Sequence, residues 1–105
     1  MNRIVIAFER EDSVTRIAKM LESGGIPVRY RCRSGGEVIR AVKNMDGGII
    51  ICGYKLTDMT YAELFACLGD MAMMLLIASP NQLRLCDNDE IFELAAPING
   101  SLLCG

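Results

Sequence analysis

The sequence has no histidine and no tryptophan, and only three phenylalanines and three tyrosines among its 105 residues. Without histidine, the chain cannot form Ser-His-Asp or Cys-His nucleophilic sites, and most kinds of zinc site are excluded as well. No other catalytic or metal-binding constellation is evident. We therefore expect a protein that is not an enzyme and that holds no metal and no cofactor.

Long hydrophobic runs are also absent. The longest, over 71–78, has eight residues, whereas a membrane-spanning helix needs about 20. The cysteines form no Cys-x-x-Cys pair and are widely spaced in apolar stretches, which is typical of reduced, buried thiols. We therefore expect a cytoplasmic protein that makes no contact with a membrane.

Basic residues do not outnumber acidic ones, since 11 Lys and Arg residues stand against 13 Asp and Glu residues. A nucleic-acid-binding surface is normally basic, so we expect no direct binding of nucleic acid. Arg29, Arg31 and Arg33 alternate along one stretch, which places them on one face of a strand. We interpret them as a solvated or partner-facing stripe.

Apolar runs alternate along the chain with segments of helical periodicity. Strands are expected at 3–7, 27–32, 49–52, 73–78 and 91–95, and the third should be covered on both faces because it is apolar throughout. Strands that alternate with helices predict one α/β domain over 1–105, built on a doubly wound, five-stranded parallel sheet.

Helix signals separate these strands. Asp12 and Ser13 are suited to cap a first helix that has Val14, Ile17, Ala18 and Leu21 on one face. A second helix is expected after the turn 34–36. Thr60 and Glu63 have the spacing of a capping box at the start of a third helix.

Two segments resemble landmarks of the response-regulator receiver domain. The stretch 48–59 reads Gly-Ile-Ile-Ile-Cys-Gly-Tyr-Lys-Leu-Thr-Asp-Met, and the stretch 94–98 reads Leu-Ala-Ala-Pro-Ile. In that family the third strand ends in a phospho-accepting aspartate before a Leu-Pro-x-Met-like turn, and the fifth strand ends in a Lys-Pro step. The resemblance implies a flavodoxin-like, receiver-like fold for nearly the whole chain.

The same resemblance implies that the phosphorylation chemistry is lost. The phospho-acceptor position falls on Gly53, which has no side chain, and the lysine position falls on Ala96, which cannot form an ion pair. Pro97 matches the family's proline, so we expect a cis bond between Ala96 and Pro97, as in the family.

The remaining pocket positions are equally altered. The acidic pair that helps to hold Mg²⁺ in the family falls on Phe8 and Glu9, and Glu9 alone makes a poor magnesium site. A hydroxyl survives at Ser79, where the family has a Thr or Ser at the end of strand four. We expect a degenerate pocket around Gly53 that is formed by Phe8, Glu9, Ser79, Ala96 and Pro97.

Two departures from the family concern the second half of the chain. The stretch 79–96 leaves room only for a short fourth helix, and the chain ends at Gly105, where the fifth helix of the family would be truncated. We therefore expect a fragment of a longer regulator. Apolar surface left bare in this way should pair two copies in a symmetric homodimer through the region between Leu83 and Leu103.

These observations favour a pseudo-receiver, a phosphorylation-independent module for protein–protein interaction or dimerisation that regulates an output domain. Among such proteins the chain looks most like degenerate receivers that precede an RNA-binding ANTAR domain in transcription antiterminators. The alternative is a small α/β ligand-binding sensor that uses the crevice at the carboxyl ends of the strands. That crevice would be lined by Phe8, Gly53, Tyr54, Ser79 and Pro80.

Overall fold

The strands form one parallel sheet in the order β2-β1-β3-β4-β5. A computed structural model of the chain describes residues 3–84 and 91–95. The strands are β1 (Ile4–Ala7), β2 (Tyr30–Cys32), β3 (Gly48–Gly53), β4 (Ala72–Ala78) and β5 (Phe92–Ala95). The helices are α1 (Glu11–Ser23), α2 (Gly35–Met45), α3 (Tyr61–Leu68) and the short α4 (Pro80–Leu83), with a 3₁₀ turn at Gly69–Met71.

This arrangement confirms the predicted doubly wound, flavodoxin-like α/β fold, including the short fourth helix. Helix α1 packs on one face of the sheet, where its apolar stripe contacts Ile6, Ile51 and Ile77. Helices α2 and α3 pack on the other face, against a cluster that includes Val5 and Leu76. The expected fifth helix lies outside the described residues.

Local sequence signals fix where α2 and α3 begin. The Ser34 hydroxyl accepts a hydrogen bond from the Glu37 N–H group at 3.1 Å. The predicted capping box of α3 is confirmed, since Thr60 Oγ1 accepts from the Glu63 N–H at 3.3 Å and Glu63 Oε1 accepts from the Thr60 N–H at 3.2 Å.

Helix α1 begins earlier than its expected caps. Its N-cap is Arg10, which has an extended backbone and makes no side-chain capping bond. The prediction that Asp12 and Ser13 cap the helix is therefore wrong, because both lie inside its first turn, where the Ser13 N–H donates to the Arg10 carbonyl. Glu11 and Asp12 instead place negative charge near the positive end of the helix dipole, which favours the helix.

The three arginines of the predicted stripe contact groups of the protein itself. Strand β2 is shorter than expected, and Arg31 is the one arginine of the three that lies within it. The Arg31 guanidinium contacts Glu22 at 3.0 Å, Arg33 Nε donates to the Glu9 carbonyl at 3.1 Å, and the Arg29 guanidinium lies 5.7 Å from the Tyr30 ring centroid. All three arginines are exposed, as expected for a solvated stripe.

Among the described residues, three large apolar side chains of β3, β4 and β5 are exposed on the side of the sheet that α1 packs on. Ile49, Met73 and Phe92 are 41%, 54% and 57% exposed, and we call these three side chains the uncovered face. Ile49 pairs with Met73, and Phe92 pairs with Leu75, which packs on the α1 side of the sheet. The expectation that the third strand is covered on both faces is wrong at Ile49.

The helices offer no means of crossing a membrane. Over residues 3–84 and 91–95, none of them is both long enough and apolar enough to span a bilayer.

Candidate functional site

The candidate site lies at the carboxyl edge of the sheet, where parallel strands all end on the same side. Phe8 and Glu9 follow β1, Gly53 ends β3, and Ser79 follows β4. Because β1, β3 and β4 are neighbours in the sheet, the fold brings these positions to one region. Ala96 and Pro97 lie outside the described residues, as does the isomer of the bond between them.

The centre of this region is a contact between Phe8 and Gly53. The Phe8 side chain is only 7% exposed, and its ring lies directly over Gly53. A Cβ atom added at Gly53 would lie 2.9 Å from Phe8 Cδ1, closer than Cβ atoms normally approach, and 3.5 Å from Cε1, an ordinary contact distance. The φ angle of Gly53 is not positive, so the backbone conformation would accept a side chain at this position. It is the close approach of the Phe8 ring that favours glycine here.

Glu9 is exposed, and its described hydrogen bond is made by its backbone carbonyl, which accepts from Arg33 Nε. Within residues 3–84 and 91–95, no three Cys, Asp or Glu residues come together in a group that could hold a metal ion. The chain therefore presents Glu9 at the pocket rim as a single surface carboxylate.

Ser79 uses its hydroxyl to begin α4. Its Oγ accepts from the Gln82 N–H at 3.2 Å, and Gln82 Oε1 accepts from the Ser79 N–H at 3.1 Å, so the pair forms a second capping box. Pro80 occupies the first turn of the helix, where its missing N–H costs no hydrogen bond. The Ser79 hydroxyl therefore already accepts a hydrogen bond within the chain.

A shallow crevice of about 290 Å³ opens beside the Phe8 ring. Phe8 and Tyr54 line it, as expected for a crevice at the carboxyl ends of the strands. Gly53, Ser79 and Pro80 do not. The structure adds a polar rim that the sequence did not reveal: Glu9, Arg10, Ser13, Lys55 and Gln82.

The thiol next to Gly53 is not an activated nucleophile. Burial raises the pKa of Cys52 to about 12, and burial, aided by the charge of Glu37, raises the pKa of Cys32 to about 11. Both thiols are therefore protonated at neutral pH, and the thiolate that attacks electrophiles is scarce. Cys32 and Cys52 are thus buried thiols, as predicted, whereas the prediction is wrong for Cys67, which is exposed on α3.

A contact that the sequence did not suggest joins the β3–α3 loop, 54–60, to the N-terminus of α2. Asp58 Oδ1 accepts from the Gly35 N–H at 2.6 Å, and Oδ2 accepts from the Gly36 N–H at 3.1 Å. These bonds, with that from Gly35 the largest influence, lower the pKa of the Asp58 carboxyl. The Met59 side chain packs so closely on Gly35 that a Cβ there would overlap its Sδ.

We predict that Gly35→Ala is less stable than Gly36→Ala by about 1 kcal/mol, because the new methyl group at Gly35 must push the flexible Met59 side chain aside. Gly36→Ala is the matched control, since the nearest atom to its added Cβ is Asp58 Oδ2 at 3.6 Å, an ordinary contact distance. Urea unfolding of both variants measures the difference. Equal stabilities would show that the packing of Met59 on Gly35 does not constrain the loop.

No protein-family model and no curated protein matches this sequence. Solved structures, in contrast, match it closely in shape. The receiver domain of the PhyR response regulator from Erythrobacter litoralis has a TM-score of 0.78 at 12% identity, covering 98% of this chain and 84% of its own. A receiver domain protein from Bacillus halodurans C-125 has a TM-score of 0.71 at 14% identity, covering 97% and 90%.

The anti-anti-sigma factor PhyR from Bartonella quintana has a TM-score of 0.77 at 17% identity over 99% of this chain. This chain spans 45% of the length of that protein. At such identities the likeness establishes a shared fold: five parallel strands with flanking helices, arranged as in receiver domains.

Proposed function

We propose that this chain is a pseudo-receiver, a receiver-type domain that works without phosphorylation as a protein–protein interaction or dimerisation module regulating an output domain. The observation that carries this proposal is the Phe8 ring packed on Gly53. A buried aromatic ring occupies the space into which an acceptor side chain at Gly53 would project.

Phosphorylation of a receiver needs an acceptor carboxylate, a magnesium ion held by oxygen ligands, and a cation that pairs with the phosphoryl group. Gly53 supplies no carboxylate, and Phe8 presents a ring where the resemblance places a magnesium ligand. The methyl group of Ala96 cannot supply the cation. Gly53, Phe8 and Ala96 each remove one of these three requirements. Together they support loss of the phosphorylation chemistry more strongly than any one of them does.

The uncovered face supports the interaction role. Ile49, Met73 and Phe92 are large exposed apolar side chains on the same side of the sheet, and no described position of β3, β4 or β5 on this side carries a charge. Contiguous exposed apolar surface is typical of sites that bind another protein. Phe92 also lies in the region between Leu83 and Leu103 that was predicted to pair two copies, and a symmetric dimer is the commonest assembly.

The output that we propose is RNA binding by an ANTAR domain in transcription antitermination, and it rests on the sequence resemblance. This part of the proposal is tested by the coding sequence that follows Gly105. A helical, basic region there would support it, and an enzymatic or DNA-binding output would replace it.

A ligand-binding sensor is the second candidate, and the crevice beside Phe8 favours it. Its volume of about 290 Å³ lies at the lower limit of roughly 300–1,000 Å³ for ligand sites, so only a small molecule would fit. Arg10, Lys55 and Glu9 on the rim would select a polar ligand. A compound that shifts the NMR signals of these residues at micromolar concentration would favour this candidate.

The pseudo-receiver proposal is tested with beryllofluoride, a phosphoryl mimic that binds receiver acceptor aspartates together with Mg²⁺. We expect that titration leaves the amide NMR signals at Gly53, Tyr54 and Ser79 unchanged, because no carboxylate is present to coordinate the beryllium. Saturable shifts at these residues would overturn the proposal.

A further inference from the structure

The N-terminus of α2 obtains its hydrogen-bond partners from two separate segments of the chain. The first four N–H groups of a helix have no partner within the helix. The Ser34 hydroxyl supplies a partner for one of them, the Glu37 N–H. The N–H groups of Gly35 and Gly36 donate to Asp58 in the β3–α3 loop.

The contact is thus made between distant parts of the sequence, 23 and 22 residues apart. A carboxylate at a helix N-terminus is favoured by the helix dipole, and hydrogen bonds to a charged acceptor are stronger than neutral ones. Gly35 and Gly36 are poor helix formers, so the first turn of α2 depends on this external support more than an alanine-rich turn would.

The loop itself is a closed unit that touches α2 at a few points. Internally, the Leu56 N–H donates to the Met59 carbonyl at 2.7 Å, and the Tyr61 N–H donates to the Tyr54 carbonyl at 3.0 Å. Toward α2, the Thr57 N–H donates to the Arg33 carbonyl at 3.0 Å, next to the Asp58 bonds and the packing of Met59 on Gly35.

We propose that Asp58 is a latch that holds the β3–α3 loop on the N-terminus of α2, and that releasing it opens the loop and the first helical turn together as one conformational switch. This inference does not depend on the proposed function, because it concerns α2 and the loop and not the chemistry of the pocket.

The test is amide hydrogen exchange followed residue by residue by NMR on the whole chain. In Asp58→Ala we expect exchange at Gly35 and Gly36 to accelerate about tenfold or more, with faster exchange across residues 54–60 as well. Asp58→Asn keeps one acceptor oxygen and should give a smaller acceleration at the same amides. Asp70→Ala, which removes an exposed aspartate with no described hydrogen bond, is the matched control.

Amides in the centre of the sheet, such as those of Ile6 and Ile51, should exchange in Asp58→Ala as they do in Asp70→Ala. Unchanged exchange at Gly35 and Gly36 in Asp58→Ala would overturn the latch. An equal acceleration throughout the sheet would overturn it too, because it would show only global unfolding and no separate opening of loop and helix.

The pH dependence of amide exchange at Gly35 and Gly36 provides a second readout. Because its bonds lower the pKa of Asp58, the latch contributes stability that is fully present above the ordinary carboxyl value of 3.8 and is lost as the pH falls through the lowered value. The charged residues nearest in sequence to the two ends of this contact are Arg33, Glu37, Lys55 and Glu63, and α2 carries Arg40 and Lys43 further along. Arg33, Glu37 and Glu63 hydrogen-bond to Glu9, Ser34 and Thr60 respectively, and not to Asp58.

Since Glu37 and Glu63 are carboxyl groups as well, Asp58→Asn separates the contribution of Asp58 from theirs. Protection of Gly35 and Gly36 should decrease below pH 3.8 in the wild type and stay low and flat with pH in Asp58→Asn. A parallel decrease in both proteins would assign the pH response to Glu37 or Glu63 and overturn the role of Asp58.

Discussion

Gly53→Asp is expected to destabilise the protein by about 1–3 kcal/mol and to leave it without a phosphorylation site. A Cβ at this position already lies 2.9 Å from the Phe8 ring, so an aspartate must either distort the core or expel the ring. Overpacking costs about 1–3 kcal/mol, and exposing a buried Phe costs about 1.5–3 kcal/mol. Urea unfolding measures the loss, and mass spectrometry after treatment with acetyl phosphate tests for modification.

A double-mutant cycle between Gly53→Ala and Phe8→Ala isolates the ring contact. Gly53→Ala alone should cost about 1–3 kcal/mol, and it should cost close to nothing in the Phe8→Ala background, where the ring is gone. Gly36→Ala is the control for introducing a methyl group at a glycine in a roomy position. If Gly53→Ala costs the same in both backgrounds, the ring is not what excludes a side chain at Gly53.

The second large effect concerns association through the uncovered face. The wild-type protein is expected to dimerise at micromolar concentrations, and Met73→Glu should weaken the dimer at least about a hundredfold. The effect is large because a symmetric dimer carries the substitution twice, which places two like charges in an apolar interface without partners. Sedimentation equilibrium measures the change in dissociation constant.

Ala66→Glu is the control for this experiment. It adds the same charge at an exposed position on α3, which packs on the opposite face of the sheet. Its dimerisation should match that of the wild type. A wild-type protein that stays monomeric at high micromolar concentration would contradict the dimer, and equal weakening by Ala66→Glu would place the interface elsewhere.

Local signals in the sequence predicted the elements of the fold well. The box formed by Thr60 and Glu63 and the apolar stripe of α1 depend on residues three or four positions apart, so their geometry follows from the helix itself. Arg10 was missed as the N-cap because it makes no side-chain capping bond and so leaves no trace in the sequence.

Contacts between distant residues were harder to predict. The resemblance placed Phe8 and Gly53 in one pocket, but only the structure shows the ring filling the space over the glycine. Nothing in the residues around Asp58 indicates that its partners are Gly35 and Gly36. The uncovered face was missed at Ile49 because an apolar strand looks the same whether or not a helix covers it.

The central claim is that this receiver-type fold works without phosphorylation. The most direct measurement is to incubate the wild-type chain with acetyl phosphate and Mg²⁺, beside an intact receiver domain as positive control, and to record the intact mass of both. We predict that the control gains one phosphoryl group and that this chain gains none. A stoichiometric phosphoaspartate on this chain would contradict the claim.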